Sequence, residues 1–322
     1  MTPNKRIFKF QPMFHSWVAI HPQPKGIIQF IGGAFFGSVP TVYYRYFLNT
    51  LFDAGYTIIA LPFRFTMHHW SVALDLLEEH YRVRQEIINH ITGYGNSQVY
   101  DYEIYLKSSN YVWVGHSLGC KYVILLEILN DGLDRVKACM EAIAVDPVQY
   151  QVIQSGIERL SLQLRQIEQD IQQWTGRSID FGTPGIANEA SLLIAPVITD
   201  LNDAIPIRSL AKSFASLGVQ VFPTIEQTHK LVSRSQSFNL MEVIRFQDDD
   251  IARETCDRLL KEQSIPAQNI SGKHLEPVGM QMGNYVADFN LLDKFFQPID
   301  RRQLEATTLQ TLDSYQRLLV QC

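Results

Sequence analysis

Residues 111–120, YVWVGHSLGC, constrain the fold more than any other stretch of the chain. Four residues of strand character run into the pattern G-x-S-x-G, and an apolar helical pattern begins directly after it. A nucleophile elbow requires this order, because its serine must sit in a tight, strained turn that projects the hydroxyl beyond the sheet. Side chains at Gly115 and Gly119 would collide with the neighbouring strand and helix. The context predicts that Ser117 is a nucleophile and that the pattern is not a chance match in a loop.

The alternation of strands and helices over residues 16–146 predicts a mostly parallel central sheet with helices on both faces. The predicted strands are residues 16–21, 26–31, 56–62, 111–114 and 142–146. Together with the elbow, this order of elements predicts the α/β-hydrolase fold. A chain of 322 residues is long enough for one large domain of this class, or for one such domain with an insertion.

A glycine-rich loop at residues 32–37, GGAFFG, separates a predicted strand from a predicted helix. It has neither the G-x-G-x-x-G pattern nor the lysine of a phosphate-binding loop. Upstream of a nucleophile elbow, such a loop supplies one backbone N–H to an oxyanion hole, and the residue after the serine supplies the other. We therefore predict oxyanion donors at Leu118 and at Ala34, with Phe35 as the alternative to Ala34. The competing interpretation is a tight turn whose aromatic side chains only pack.

The segment after the strand at residues 56–62 is rich in aromatic side chains. The predicted substrate pocket is an apolar rim over the strand ends, and its candidate residues are Phe36, Phe63, Arg64, Met67 and His116. Arg64 is also a candidate partner for an anionic group of the substrate. The adjacent His68 and His69 do not predict a metal site, because neighbouring side chains point in different directions and no carboxylate follows at ligand spacing.

Three runs of sequence resemble the family catalogued as domain of unknown function 1350: WVAIHPQPKGIIQFIGGAFFGSVPT, YTIIALPFRFTMHHW and YVWVGHSLGCKY. That family belongs to the α/β-hydrolase superfamily and is typical of cyanobacteria and plant plastids. The resemblance covers most of the chain and is strongest over residues 15–125. It implies the α/β-hydrolase fold and a hydrolase-like site, and it implies no substrate.

The alternation of strands and helices stops between residues 147 and 237. Apolar residues four and three apart predict a helix with one apolar stripe over residues 150–174. We predict that residues 147–237 form a helical cap inserted after the strand that ends at Asp146, and that residues 1–146 and 238–322 form the core. The stripe packs on the protein's own body in this interpretation, and the alternative is a homodimer seam. The polar face is not strongly basic, so binding to a membrane surface is disfavoured.

The remaining members of a catalytic triad follow the serine in the order acid, then histidine. One candidate pair is Asp203 with His229, and the other joins the acidic cluster at residues 248–250 to His274. The second pair follows the order strand, acid, helix, strand, histidine and closing helix, which is how this fold ends. The first pair would leave a whole strand–helix–strand unit unaccounted for, so we predict that His274 is the general base.

Within the acidic cluster, Asp249 is the predicted triad acid because of its place a few residues beyond the strand. Asp248 and Asp250 are then predicted to be solvated or to cap a helix. Asp146 is a further alternative, because some members of the fold carry the acid after that earlier strand.

The chain as a whole predicts a serine esterase, lipase or thioesterase that acts on a small, lipophilic acyl substrate. A lyase or acyltransferase using the same site is one alternative, and a non-catalytic binding or assembly protein on the same scaffold is another. A net charge of -5 gives no electrostatic reason to expect nucleic acid. The four cysteines lack C-x-x-C spacing and fit a reducing compartment, and no stretch has the apolar length of a membrane span. We predict a cytoplasmic protein without a cofactor or metal.

Overall fold

The computed structural model describes residues 8–64, 66–93, 101–198, 221–288 and 296–321. The predicted alternative acid Asp203 lies outside the described residues.

An eight-stranded sheet forms the centre of the molecule. Its strands are β1 (Gln11–Met13), β2 (Ser16–Ala19), β3 (Gly26–Ile31), β4 (Tyr56–Ala60), β5 (Tyr111–His116), β6 (Ala190–Ile194), β7 (Met241–Phe246) and β8 (Ala267–Ile270). They lie in the order β1-β2-β4-β3-β5-β6-β7-β8, and β2 alone among these eight runs against the others. Strands β3 to β6 are buried at every position, as expected of parallel strands covered on both faces. The protein has the α/β-hydrolase fold, as the sequence predicted.

Helices cover both faces of this sheet. They are α1 (Pro40–Tyr43), α2 (Arg45–Asp53), α3 (His69–Gly93), α4 (Leu118–Leu129), α5 (Leu133–Ala142), α6 (Pro147–Thr175), α7 (Ile225–Val232), α8 (Arg253–Gln263) and α9 (Leu304–Gln321). Short 3-10 turns occur at Phe36–Ser38, Glu103–Leu106, Ser108–Asn110 and Ile299–Arg301. A small antiparallel sheet of β9 (Met280–Met282), β10 (Tyr285–Ala287) and β11 (Phe296–Pro298) follows β8. No helix in the described part of the chain has the length and apolarity to cross a membrane.

The predicted strand over residues 142–146 is wrong. Ala142 ends α5, Ala144 turns the chain with a φ of 54°, and Asp146 is the N-cap residue that precedes α6. The Asp146 side chain accepts a hydrogen bond from the Val148 N–H at 2.9 Å, and Pro147 occupies the first helical position. Both are helix-start signals, and here they override the apolar and β-branched content of the segment.

The strand that follows β5 in the sheet is β6, which pairs with β5 on one side and β7 on the other. It lies within residues 147–237, so the prediction that this whole segment is a helical cap is wrong. The sequence of β6, ASLLI, is short and uniformly apolar, which fits a fully buried strand as well as a buried helix.

The apolar stripe of α6 packs on the protein's own body. Its members Ile153, Ile157, Leu160, Leu164, Ile167 and Ile171 are all buried, whereas Trp174 is exposed. A Cβ atom at Gly156 would lie 2.7 Å from Leu74 Cδ1 of α3, so the two helices are in close contact. The stripe is therefore used within the chain and does not supply the predicted homodimer seam over residues 150–174.

Candidate active site

Ser117 lies in the turn between β5 and α4 with φ 53° and ψ −121°, a conformation that is strained for a residue with a side chain. A Cβ atom at Gly115 would lie 2.9 Å from Cys120 N, and one at Gly119 would lie 2.6 Å from Gly32 O. Both contacts are too short for a carbon atom, which confirms the predicted steric reason for the two glycines. The turn therefore has the geometry of a nucleophile elbow.

The structure brings Ser117, Asp249 and His274 together. His274 Nε2 lies 2.8 Å from Ser117 Oγ, and His274 Nδ1 lies 2.9 Å from Asp249 Oδ2. Asp249 is buried, whereas the Ser117 residue is half-buried and the His274 side chain is 11% exposed. The three side chains form one hydrogen-bonded chain whose serine end is open to solvent.

Asp249 is held from its other side by the backbone at the start of the following helix. Its Oδ1 accepts hydrogen bonds from the Ile251 N–H at 2.9 Å and the Ala252 N–H at 3.1 Å. Burial alone would raise the pKa of Asp249, but the hydrogen bonds and charge of His274 and these two amides lower it below its ordinary value. The carboxylate is therefore ionised at neutral pH.

The other acids of the cluster point elsewhere. Asp250 is exposed and forms an ion pair with Arg253 of α8, and Asp248 is also exposed. Asp146 caps α6 and is exposed, so it is not placed to act as the acid.

His229 does not take part in the hydrogen-bonded chain at Ser117. It is buried on α7, where burial and nearby Arg258 lower its pKa to about 4. Its position is that of a packed histidine between helices.

The glycine-rich loop at residues 32–37, called the oxyanion loop below, passes beside the serine. A Cβ atom at Gly33 would lie 3.0 Å from Ser117 Cβ. Leu118 is the first residue of α4, so its N–H has no acceptor within the helix. Among the described residues, neither the Leu118 amide nor the Ala34 amide donates to another protein group. Phe35 is 47% exposed and has a φ of 62°, and its carbonyl accepts a hydrogen bond from the Ser38 N–H at 3.2 Å.

His116 is not a pocket residue, and the prediction that it lines the substrate site is wrong. It is only 1% exposed, and both ring nitrogens are engaged: Nδ1 lies 2.8 Å from Tyr44 Oη and Nε2 lies 2.8 Å from His274 O. Burial and neighbouring His274 lower the pKa of His116 to about 3, so the ring is neutral. Tyr44 was not singled out from the sequence, because an aromatic residue among other aromatics gives only a packing signal.

A cavity of about 690 Å³ lies at the carboxyl end of β4. Phe63 and Arg64, both predicted pocket residues, line it together with His15, Ser38, Pro62, Thr66, Val72, Asp75, Leu76, Glu78, Glu79 and Arg82. Charged side chains make up much of this lining, so the cavity is less apolar than the sequence predicted. Phe36 is half-buried with its ring centroid 5.1 Å from that of Tyr43, and the carbonyl of half-buried Met67 accepts a hydrogen bond from the Phe222 N–H at 2.7 Å.

Solved structures that resemble this one include esterases and other hydrolases. Esterase B from Lactobacillus rhamnosis, inhibited by a tributyrin phosphonate, is 10% identical, with 95% of this chain and 82% of that chain covered and a TM-score of 0.46. Carboxylesterase Cest-2923 from Lactobacillus plantarum is 14% identical, with 81% and 80% covered and a TM-score of 0.41. A sugar hydrolase from Lactococcus lactis is 13% identical, with 97% and 98% covered and a TM-score of 0.45. Likeness at this level bears on neither substrate nor mechanism.

Within the described part of the chain, no three His, Cys, Asp or Glu side chains gather as ligands for a metal ion. No curated protein matches the sequence. A family profile matches residues 9–178, just over half of the chain, and the protein therefore belongs to the family described as "Protein of unknown function (DUF1350)".

Proposed function

We propose that the protein is a serine hydrolase that cleaves a carboxylic ester or thioester through an acyl-enzyme. The observation that carries this proposal is the chain of hydrogen bonds from Ser117 Oγ through the His274 ring to Asp249, at 2.8 Å and 2.9 Å. It begins at a serine whose backbone is strained, and strain of about 1–3 kcal/mol persists only where the surrounding structure enforces it. A base in contact with a nucleophile and oriented by an ionised acid is the arrangement that activates a serine.

The direction of proton transfer follows from the hydrogen bonds. Ionised Asp249 only accepts, so the neutral His274 ring carries its proton on Nδ1 and presents a lone pair on Nε2. Nε2 then accepts the proton of the Ser117 hydroxyl as Oγ attacks the carbonyl carbon. The carbonyl oxygen becomes an oxyanion, for which the Leu118 and Ala34 N–H groups are the proposed donors.

The imidazolium formed at His274 is stabilised by Asp249 and returns its proton to the departing alcohol or thiol. Water then attacks the acyl-enzyme: His274 takes one proton from the water and gives it to Ser117 Oγ as the acid is released. The site therefore returns to its starting protonation state after each cycle.

For the substrate, we propose a small molecule with an apolar acyl group and a polar remainder. Exposed Phe35 and the apolar side chains of Phe63, Val72 and Leu76 in the cavity support the apolar part. The exposed side chain of Arg64, which lines the same cavity, supports a polar or anionic group elsewhere in the molecule.

The part of the chain that the structure describes gives no support to the alternative functions, a binding or assembly protein and a lyase or acyltransferase. The best support for a binding or assembly protein was the apolar stripe over residues 150–174, and that stripe packs against α3. No feature of the described residues favours a lyase or an acyltransferase over a hydrolase.

The test is labelling by a fluorophosphonate probe and turnover of p-nitrophenyl esters from acetate to palmitate, together with acyl thioesters. We expect the wild type to be labelled and to release the free acid in water, and we expect Ser117→Ala and His274→Ala to lose both properties. The matched control is His229→Ala, which removes the competing histidine and should keep the labelling. Labelling that persists in Ser117→Ala, or a wild type that neither labels nor turns over any ester, would overturn the proposal.

A further inference from the structure

A second chain of hydrogen bonds runs through the buried ring of His116, on the inner side of Ser117. The Gly33 N–H donates to Tyr44 Oη at 2.7 Å, Tyr44 Oη lies 2.8 Å from His116 Nδ1, and His116 Nε2 lies 2.8 Å from His274 O. Tyr44 is fully buried and His116 nearly so. One end of this chain is the oxyanion loop, and the other is the backbone of the histidine that contacts the serine.

The groups in this chain allow one arrangement of protons. The His274 carbonyl can only accept, so His116 Nε2 carries the ring proton and donates it. The neutral ring then accepts at Nδ1, so the Tyr44 hydroxyl proton points at His116 and the hydroxyl oxygen accepts from Gly33. Burial raises the pKa of Tyr44 and lowers that of His116 to about 3, so neither group changes charge near neutral pH.

The two end bonds of this hydrogen-bond chain hold two parts of the site, the oxyanion loop and the backbone of His274. Gly33 immediately precedes Ala34, so its N–H bond to Tyr44 anchors the peptide plane at the start of the oxyanion loop, and the Gly33 carbonyl, which shares a peptide plane with the Ala34 N–H, accepts a hydrogen bond from the Gly37 N–H at 2.7 Å. The bond to His274 O holds the residue whose Nε2 lies 2.8 Å from Ser117 Oγ. His116 itself immediately precedes Ser117 on β5.

We propose that Tyr44 and His116 are a pair of positioning residues that hold the oxyanion loop and the backbone of His274 at fixed distances from Ser117. This inference rests on the proposed function, because it concerns the geometry of the same reaction. Small errors in such geometry are costly, since a misplacement of about 1 Å can lower a rate about 100-fold.

The neutral state of His116 also suits the reaction. The ring centroids of His116 and His274 are 5.3 Å apart, and His274 becomes positively charged when it takes the serine proton. A charged ring at His116 would oppose that step, because two like charges at this distance in a buried site repel strongly. Burial and the neighbouring His274 lower the pKa of His116 and keep its ring uncharged, although the hydrogen bond from Nε2 to the His274 carbonyl acts in the opposite direction.

The decisive variant is Tyr44→Phe, which keeps a ring to pack against Phe30 and removes only the hydroxyl. The matched control is Tyr56→Phe on β4, because Tyr56 is also buried and its hydroxyl has no hydrogen-bond partner among the described residues. We expect Tyr44→Phe to lower kcat by about 10- to 100-fold while KM changes by less than about twofold, because transition-state geometry is lost and substrate binding is not. Tyr56→Phe should keep the wild-type kcat, and the pre-steady-state rate of labelling by a fluorophosphonate should fall only in Tyr44→Phe.

The histidine end is tested with His116→Gln and His116→Leu. Glutamine can place an amide N–H near the position of imidazole Nε2 and keep the bond to His274 O, whereas leucine cannot. We expect His116→Gln to retain at least about tenfold more kcat than His116→Leu, with circular dichroism spectra that match the wild type.

Equal kcat in the wild type and Tyr44→Phe, or equal loss in the Gln and Leu variants, would overturn the positioning role and leave the proposed function standing. A wild type without labelling or turnover would overturn both.

Discussion

The most informative single substitution is Asp249→Asn, because the structure dictates how the new side chain must point. Two backbone N–H groups, at Ile251 and Ala252, converge on Asp249 Oδ1 at 2.9 Å and 3.1 Å. An amide nitrogen cannot accept those bonds, so the asparagine oxygen stays there and its NH₂ group faces His274 Nδ1. A donor at that point forces Nδ1 to accept, and the ring proton moves to Nε2. His274 then donates to Ser117 Oγ and cannot take its proton.

The loss of this proton acceptor sets the magnitude. Locking the general base of a serine hydrolase in the wrong tautomer lowers kcat by about 10⁴-fold, which corresponds to about 5.4 kcal/mol of activation free energy. Binding of the ester does not use this proton, so KM should change by less than about threefold. The assay is kcat and KM on the best p-nitrophenyl ester, measured for the wild type and Asp249→Asn.

The control is Asp250→Asn, one residue along, because Asp250 is exposed and pairs only with Arg253 in the described structure. It should keep kcat within about twofold, since exposed ion pairs contribute little. A fall of less than about tenfold in Asp249→Asn would refute the argument that this carboxylate sets the tautomer of the base. Equal falls in both variants would show that the acidic cluster acts through its total charge.

Three further substitutions test a close contact at the elbow and two buried charged groups elsewhere in the fold. Gly119→Ala places a Cβ atom 2.6 Å from Gly32 O, so we expect a loss of about 3 kcal/mol or more in the free energy of unfolding, measured in urea, together with loss of labelling. Burial raises the pKa of Glu127 to about 8, so the stability it contributes is complete below about pH 4.3 and is lost as the pH rises through 8. The wild type should therefore lose about 1.4 kcal/mol per pH unit relative to Glu127→Gln between pH 5 and 7.5, and parallel curves would contradict this. In the wild type, buried Glu305 lies 2.7 Å from a guanidinium nitrogen of Arg302. Arg302→Met leaves this carboxylate without its cation and should lower the free energy of unfolding by about 3–5 kcal/mol. A loss below about 1 kcal/mol would mean that solvent screens the pair.

The part of the site that the sequence predicted is the part specified by local pattern. The elbow is a contiguous motif, and its two glycines are required by contacts only a few residues or one strand away. The choice of Asp249 and His274 followed from the order of elements at the end of the chain. That order placed each residue after a strand whose carboxyl end meets the same edge of the sheet.

The errors in the predicted fold have a common cause. Residues 142–146 and β6 are both short apolar segments, and apolar content alone does not distinguish a turn between helices from a buried strand. Long-range strand pairing decides between them. Strand β6 pairs with β5 on one side and with β7 on the other, whereas residues 142–146 lie between the end of α5 and the start of α6.

The link between Tyr44 and His116 could not be found in the sequence for a different reason. The two residues are 72 positions apart, and their contact depends on how α2 approaches the end of β5. A tyrosine at the start of a helix and a histidine at the end of a strand each have an ordinary packing role, and only the three-dimensional arrangement gives them a shared one.

The position of His274 shows how the sheet determines the site. Neighbouring strands are about 4.8 Å apart, so the end of β8 lies three strands, or about 14 Å, from the end of β5 where Ser117 begins. Asp249 follows β7, which is closer, so the chain after β8 must turn back across the end of β7 for the histidine to lie between acid and serine. Gly272 allows this turn with a φ of 141°, and its carbonyl accepts a hydrogen bond from the Asp248 N–H at 3.2 Å. A side chain there would be strained and would meet the Phe246 ring at 3.0 Å, so the glycine two residues before His274 is as much a requirement of the site as the two that flank Ser117.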